Sequence, residues 1–161
     1  MNIEQRIEAL GLYLPEPTKV PAGIQIDFAW ARLYGDRVYV SGHAPTQPDG
    51  SFRPPAGRVG EDVTPEQAAE AARFATLSML GSISRVIGDL DRIAAWLRVD
   101  GFVLVAPGFA QTTNVVNGCS HLLAKLFGPE IAVHARTAIG VAATPLSSPV
   151  ILAAELALKP A

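Results

Sequence analysis

Apolar residues recur at helical spacing in the middle of the chain. Behind the stretch TPEQ, an apolar stripe occupies one helical face over residues 68–87. Thr64 can cap this helix, Pro65 suits its first position, and Gln67 can reach back to complete a capping box. Gly88 follows the last apolar position. The pattern therefore predicts a long helix that begins after Thr64 and ends at Gly88.

Two further segments have helical spacing. Apolar residues from Val115 to Phe127 predict a second helix over 112–127, which Gly128-Pro129 should break. At the start of the chain, apolar residues three and four apart predict a short amphipathic helix that stops at Gly11. The proline-containing stretch LPEPTKVPAG follows and predicts an extended arm, so residues 1–25 or so form a helix and a Pro-rich arm.

The remaining apolar segments have the content of strands. IDFAWARLYGDRVYVSG predicts two strands around a tight turn at residues 34–37. Asp100-Gly101 predicts a bulge or bend within the third strand. Further strands are predicted over 92–105, 135–143 and 150–158. The order ββ–α–β–α–ββ is typical of an α+β fold in which two helices cover one face of a mixed sheet, and we expect one domain over 1–161.

Composition points to self-association. Hydrophobic residues make up 49% of the 161 residues and charged residues 17%, less than the usual quarter. We expect the uncovered sheet face to be buried against other subunits. A core that is merely rich in Ala and Val is the alternative.

Charge and cysteine content exclude several classes of function. The net charge is −2 without a basic run, which argues against nucleic-acid binding driven by phosphate contacts. Cys119 is the only cysteine, and no histidine pair has metal-ligand spacing, so we expect no metal. No signal-like or membrane-spanning stretch is visible in the sequence, so we expect no membrane association and a cytoplasmic protein.

An ordered set of motifs resembles the RidA family, also called YjgF-like or endoribonuclease L-PSP-like. The motifs are VYVSGHAP, GRVGEDVTPEQAAEAAR, GDLDRI, PGF…NG, LFG and HARTAIGVAATPL. The arm ending in LPEP and the segment VNGCSHLL are similar to a divergent subgroup. The resemblance implies a chorismate-mutase-like fold and a homotrimer with clefts between subunits. It also implies hydrolysis of small enamines or imines to a keto acid and ammonia, without a metal or organic cofactor.

Arg136 is the leading candidate for substrate binding. The family has an arginine at the start of the penultimate strand that binds the substrate carboxylate, and Arg136 matches this position. A planar guanidinium can hold a carboxylate through two parallel hydrogen bonds, which fixes orientation as well as charge. The alternative is an interface arginine paired with Glu155 or another acid.

Further cleft residues are implied by the same resemblance. Ser41 and Gly42 match the family's SG pair, which lines the cleft at the end of the second strand. Phe28 lies where many relatives have a tyrosine, and core packing is its alternative role. Asn117 matches a helix asparagine that projects towards the cleft, although Asn114 competes for this assignment.

Two departures affect the catalytic half of the site. Ala138 and Ile151 stand where the known deaminases have a cysteine and a glutamate. Glu155 is the only nearby acid, but it lies about 13 Å further along an extended strand. It could substitute for the glutamate only if the strand is bulged or shifted. The carboxylate anchor is therefore predicted to be intact, while the group that activates water is open.

The three histidines have different expected roles. His43 follows the SG pair and is a candidate acid or base that titrates near neutrality, with a polar rim residue as the alternative. His134 precedes Arg136 by two residues and could orient it. His121 is expected to face solvent.

We hypothesise an imine or enamine deaminase that binds a small carboxylate or carbonyl metabolite. A non-catalytic binding or regulatory protein on the same scaffold is the alternative, and ribonuclease activity fits the charge poorly.

Overall fold

Five strands and three α-helices follow one another in the predicted order. The computed structural model describes residues 1–161. The elements are α1 (Ile3–Ala9), β1 (Ala31–Tyr34), β2 (Arg37–His43), α2 (Pro65–Ile87), β3 (Ile93–Leu104), α3 (Thr112–Ala132), β4 (Ala135–Val141) and β5 (Val150–Leu158). The α+β class and the ββαβαββ order are thereby confirmed.

The strands form one mixed sheet in the order β1-β2-β5-β3-β4. Strands β3 and β4 run parallel, as expected for two strands joined by a helix, and the other neighbours are antiparallel. The last strand of the chain lies in the middle of the sheet, between β2 and β3. The edges of the sheet are consequently β1 and β4.

Helices α2 and α3 cover one face of this sheet. Along β5, residues such as Leu152 and Leu156 are buried beneath the helices, whereas Ala153 and Glu155, which alternate with them, are only partly buried. Helix α2 begins with the predicted capping box, in which Thr64 and Gln67 satisfy each other's backbone N–H groups. It ends at Gly88, whose φ of 84° favours glycine.

The amino-terminal segment lies against the helical layer. Ile3 and Ile7 of α1 are buried in the core, and the Arg6 guanidinium donates to the Leu126 carbonyl of α3 at 2.6 Å. Residues 12–30 hold no helix or strand. The arm is tied to the loop after β2 through hydrogen bonds such as that from Glu16 N to Pro48 O (2.9 Å). The predicted Pro-rich arm is therefore present and has a fixed course.

The predicted bulge at Asp100-Gly101 is wrong. Strand β3 pairs with β4 and β5 in regular register at both residues, and its irregularities fall nearer its start, between Ile93 and Arg98. Gly101 has a packing role instead. An added Cβ would lie 2.5 Å from a Val116 methyl group, so the missing side chain lets α3 approach the sheet.

Two predicted boundaries also differ from the structure. Strand β1 is only four residues long, since the residues before Ala31 belong to the arm. Helix α3 is interrupted after Phe127, at the predicted Gly128-Pro129 break, but it resumes beyond that point. It kinks at Gly128, where φ is 80° and ψ is 165°, and a further turn runs to Ala132. Pro129 fits the start of that turn because its missing N–H has no helical partner there.

The second face of the sheet has no covering element in one chain. It exposes apolar side chains, among them Tyr39 and Ile139, each 47% accessible. It also carries ion pairs, such as the one between Arg98 and Asp100 at 3.0 Å. No helix is both long and apolar enough to cross a membrane. The cytoplasmic location stays a prediction.

Candidate functional site

Arg136 is held in place by one face of α3. It is the second residue of β4 and pairs with the buried Val99, so its side chain rises on the helix-covered face. Its Nη1 donates to Asn117 Oδ1 at 2.8 Å and to Ser120 Oγ at 2.9 Å, and its Nη2 donates to the Thr113 carbonyl at 3.2 Å. These three partners share one helical face because they are four and three residues apart.

The contacts of Arg136 leave one edge of the guanidinium available. Of its five N–H groups, both on Nη1 and one on Nη2 are used, and no acid lies within ion-pair distance. The remaining N–H groups belong to Nε and Nη2. A depression of about 390 Å³ adjoins the side chain. Arg136 is therefore an oriented cation with two free donors, which is what bidentate binding of a carboxylate requires.

His134 supports Arg136 through Ser120. Its Nδ1 lies 2.6 Å from the Ala132 carbonyl, and its Nε2 lies 2.9 Å from Ser120 Oγ. A carbonyl can only accept, so in the neutral ring the proton belongs on Nδ1 and Nε2 accepts from the Ser120 hydroxyl. The lone pairs of that hydroxyl then accept from Arg136. The expectation that His134 orients the arginine agrees with this chain of hydrogen bonds.

Asn117 and Asn114 have different surroundings. Asn117 is partly buried and binds the guanidinium, whereas Asn114 is exposed. The geometry therefore favours Asn117 as the asparagine that accompanies Arg136. His121 is exposed on α3, as expected.

Ser41, Gly42 and Phe28 lie in a different part of the chain. The Ser41 hydroxyl donates to the Ala29 carbonyl at 2.7 Å, and the pairing of β2 with β5 is irregular between Val40 and His43. Gly42 approaches β5 so closely that an added Cβ would lie 2.9 Å from an Ile151 methyl group. Phe28 is half exposed and meets Trp30 edge to face, with 5.0 Å between ring centroids.

One chain does not bring these residues to Arg136. Strands β5 and β3 lie between β2 and β4, a separation of roughly 14 Å across the sheet. Arg136 projects on the helix-covered face at one edge strand, and the SG pair lies beside the opposite edge. The predicted substrate-binding set therefore falls into two groups, one around Arg136 with Asn117 and one around Gly42.

His43 is a core residue and not a cleft acid or base. Its side chain is 1% accessible. Its Nδ1 donates to the Ser41 carbonyl, and its Nε2 contacts Ser82 Oγ at 2.8 Å. Burial is the main cause that lowers the pKa of His43 to about 4; the hydrogen bond to the Ser41 carbonyl opposes this lowering, and the nearby Arg85 adds to it. The predicted titration near neutrality is corrected, because this imidazole is neutral and hydrogen-bonded on both nitrogens.

Glu155 does not take the place of the family's glutamate. From Ile151 to Glu155, β5 pairs with β3 residue by residue without a bulge. Glu155 thus stays four positions away from Ile151, on the uncovered face of the sheet. It lies 3.5 Å from Arg37 and borders a separate depression of about 610 Å³. Within one chain Glu155 forms no ion pair with Arg136, which was the alternative role considered for the arginine.

Sequence analysis missed Ser120 and the wall of an apolar cavity. Ser120 could have been found from its spacing, since residues 113, 117 and 120 fall on one helical face. The cavity is formed by the arm, whose course depends on distant contacts.

Cys119 is buried, and burial raises the pKa of its thiol to about 11. The carboxylates of Glu4 in α1 and of Asp89 and Asp91 in the turn after α2 lie within 4.8 Å of one another, but none of them belongs to either predicted group.

Comparisons with known proteins agree with the motif set. No family model matches the sequence. The chain is 30% identical over 149 residues to Protein TCP17 of Trypanosoma cruzi. The matched region covers 92% of this chain and 89% of TCP17. A proposed endoribonuclease from Shewanella oneidensis is 27% identical with a TM-score of 0.87, covering 98% of this chain and 100% of that protein.

A member of the conserved Rid protein family from Yersinia pestis, YyfA, has the same fold. Its TM-score is 0.60 at 17% identity, and the match covers 91% of this chain and 98% of YyfA. The ordered motifs, the topology and these relatives lead to the same conclusion. The chain belongs to the RidA, or YjgF-like, family.

Proposed function

We propose that this protein hydrolyses small imines or enamines to a carbonyl product and ammonia, in clefts between the subunits of a homotrimer. Arg136 holds the carboxylate of the substrate. The observation that carries the proposal is the orientation of Arg136, which three hydrogen bonds fix while two N–H groups remain free. Such a preformed clamp costs little conformational entropy when the ligand binds.

The division of the site supports the assembly. Arg136 lies on the edge strand β4, whereas Gly42 and Phe28 lie near the opposite edge of the sheet. Two copies could bring the groups together if the β4 edge of one subunit faced the β2 region of the next. A closed ring of three copies would produce three equivalent clefts. We also propose that the uncovered sheet face, with its exposed Tyr39 and Ile139, is buried in this assembly.

The chemistry asked of the protein is modest. Water adds to the imine carbon, a proton moves to nitrogen, and ammonia leaves. Bidentate binding by Arg136 fixes the position of that carbon, which is one source of rate acceleration. The amide nitrogen of Asn117 makes no hydrogen bond within the chain and could donate to the same substrate. Neither Ile151 nor Ala138 can activate water, so the attacking water would be oriented by backbone groups and by the bound substrate.

A non-catalytic binding protein is the second candidate. It is favoured by a specific observation: no carboxylate occupies the position of Ile151, and Glu155 lies four residues further along β5, on the sheet face opposite to Arg136. A protein of this kind would use Arg136 to bind a stable keto acid without turning over an imine. Nucleic-acid cleavage is a weaker candidate, because the net charge of −2 offers little attraction to phosphates.

The test compares imine hydrolysis by the wild type, Arg136→Ala and Arg73→Ala. Imino acids would be generated in situ, and release of the keto acid would be measured. Semicarbazone formation from the same imino acid would be recorded in parallel. Arg73 is a surface arginine of α2 paired with Glu70, so its loss controls for charge. We expect Arg136→Ala to lower kcat/KM by about 10- to 100-fold, the effect of one charged hydrogen-bonded contact, and Arg73→Ala to leave it unchanged.

Three outcomes are informative. Acceleration that depends on Arg136 supports the deaminase. No acceleration by the wild type, together with Arg136-dependent binding of a keto acid in calorimetry, favours the binding protein. Equal rates with wild type and Arg136→Ala contradict the role of the arginine. Sedimentation equilibrium at a mass three times that of one chain would support the trimer.

A further inference from the structure

An apolar cavity of about 450 Å³ lies between the arm and the end of β2. Gly42 forms part of its wall, so it adjoins one of the two groups of the proposed cleft. Its apolar lining consists chiefly of Val20, Ile24, Phe28, Trp30, Leu146 and Ile151. The volume is within the range of sites that bind small molecules.

Several apolar side chains that line the cavity remain accessible to solvent in the folded chain. Ile24 is 57% accessible, Phe28 52% and Leu146 45%, and these are three of the ten large apolar residues exposed on the chain. Single exposed apolar residues are ordinary, but a cluster that lines one concavity indicates a binding surface. The lining as a whole comes from three separate parts of the sequence, residues 18–30, 42–44 and 145–151, so its assembly is a product of the fold.

The walls of the cavity are fixed before any ligand binds. Lys19 N donates to Gly50 O at 2.9 Å and Ile24 N to Pro21 O at 3.2 Å, which holds the arm to its course. Trp30 is wedged between Phe28 and the buried His43, with ring centroids 5.0 and 5.2 Å away. A preformed apolar wall loses little entropy on binding.

The interior of the cavity carries no free charge. Lys19 is the only charged residue in its wall, and its ammonium group is engaged with Asp49 at 3.1 Å. Ile151 adds a branched aliphatic side chain to the wall. A charged or small polar group would lose hydration here without gaining a partner, whereas an aliphatic or aromatic group would gain by leaving water.

We propose that this cavity receives the side chain of the substrate, a 2-imino acid with a branched aliphatic or aromatic side chain. The 2-oxo acid that forms from this substrate has the same side chain, which occupies the same cavity. The inference rests on the proposed function, because the carboxylate of that molecule is held by Arg136 of a second copy. The apolar cavity selects the side chain, and the arginine selects the acid.

The experiment measures binding of the stable 2-oxo acids pyruvate, 2-oxobutanoate, 2-oxopentanoate and 4-methyl-2-oxopentanoate by calorimetry. Each carbon buried in the cavity should tighten Kd by about fourfold. Trp30 emission should change along the same series. The measurement uses a Trp96→Phe background, since the chain has two tryptophans and Trp96 is buried in the core.

Two matched variants locate the effect. Ile24→Ser removes an exposed apolar group from the cavity wall and should flatten the dependence of Kd on side-chain length. Val86→Ser removes an exposed apolar group from α2 and should leave that dependence as in the wild type. Both positions are accessible, so neither change should unfold the protein.

Equal Kd values along the series, no binding of any member, or unchanged Trp30 emission would overturn the inference. The inference and the proposed function fail separately. Length-dependent binding without imine turnover supports the ligand class and contradicts the deaminase, whereas imine turnover with equal Kd values contradicts only the ligand class.

Discussion

Replacement of Gly118 by alanine tests how closely the two long helices pack. Gly118 lies in α3 and faces the backbone of α2. A Cβ built at this position would lie 2.0 Å from the Ala69 carbonyl oxygen and 2.9 Å from its carbon. These atoms are backbone, so they cannot rotate away, and the helices would have to separate.

Two opposing effects decide the sign of the change. Helix propensity favours alanine over glycine by about 1 kcal/mol in a helix interior. Overpacking against a rigid neighbour typically costs 1–3 kcal/mol and sometimes more. Because the separation of 2.0 Å is far below van der Waals contact, we expect the clash to dominate and Gly118→Ala to lower the free energy of unfolding by about 1–2 kcal/mol.

Gly81→Ala is the matched control, since Gly81 is also inside a helix. Its added Cβ would lie 3.0 Å from the Pro15 carbonyl oxygen and 3.4 Å from the Arg85 guanidinium, which is a milder contact. The propensity gain is the same, so the difference between the two variants isolates the clash. Urea unfolding followed by circular dichroism, at matched protein concentration, gives both values. If Gly118→Ala is as stable as the wild type or as Gly81→Ala, the close helix contact is wrong.

The two buried titratable groups lead to further predictions. The pKa of His43 is lowered to about 4 in the folded chain, so the unfolded chain, with a pKa near 6.5, binds the proton more tightly. The contribution of His43 to stability is therefore fully present above pH 6.5 and is lost as the pH drops towards 4. We expect the free energy of unfolding to fall by about 2 kcal/mol between pH 7 and 5 in the wild type and not in His43→Gln. Equal pH profiles of wild type and His43→Gln would contradict the burial of this histidine. Cys119 is the only thiol, and burial raises its pKa to about 11. Ellman's reagent should label no thiol in the native protein and one per chain in denaturing urea, whereas rapid native labelling would refute that environment.

Most of the helices and strands could be predicted because their signals are local. The capping box that begins α2 and the glycine that ends it are each recognised from a few neighbouring residues, and the structure has them as predicted. The alternation of buried and partly buried residues along β5 follows from strand geometry. The predicted bulge at Asp100-Gly101 was wrong because the same dipeptide suits either a bend or a close packing contact. Only the position of Val116 distinguishes the two, and it comes from another element.

The candidate site was predictable in chemistry and not in location. The type and position of Arg136 predicted an anion-binding group from the sequence. That its partners on α3 leave one guanidinium edge free could be recognised only from the packing of α3 across β4. His43 shows the converse, since its place beside the SG pair indicated a titrating group, whereas packing against Ser82 and Trp30 makes it a neutral core residue.

The sequence by itself determined the elements, their order and the presence of a guanidinium at the start of β4. These properties depend on residue type and short-range spacing, which act before the chain is compact. Tertiary structure alone decided that β5 lies between β2 and β3, that Arg136 and Gly42 lie towards opposite edges of one sheet, and that the arm forms an apolar cavity beside Gly42. Strand order and the facing of side chains depend on long-range packing, in which residues far apart in the chain compete for the same buried surface.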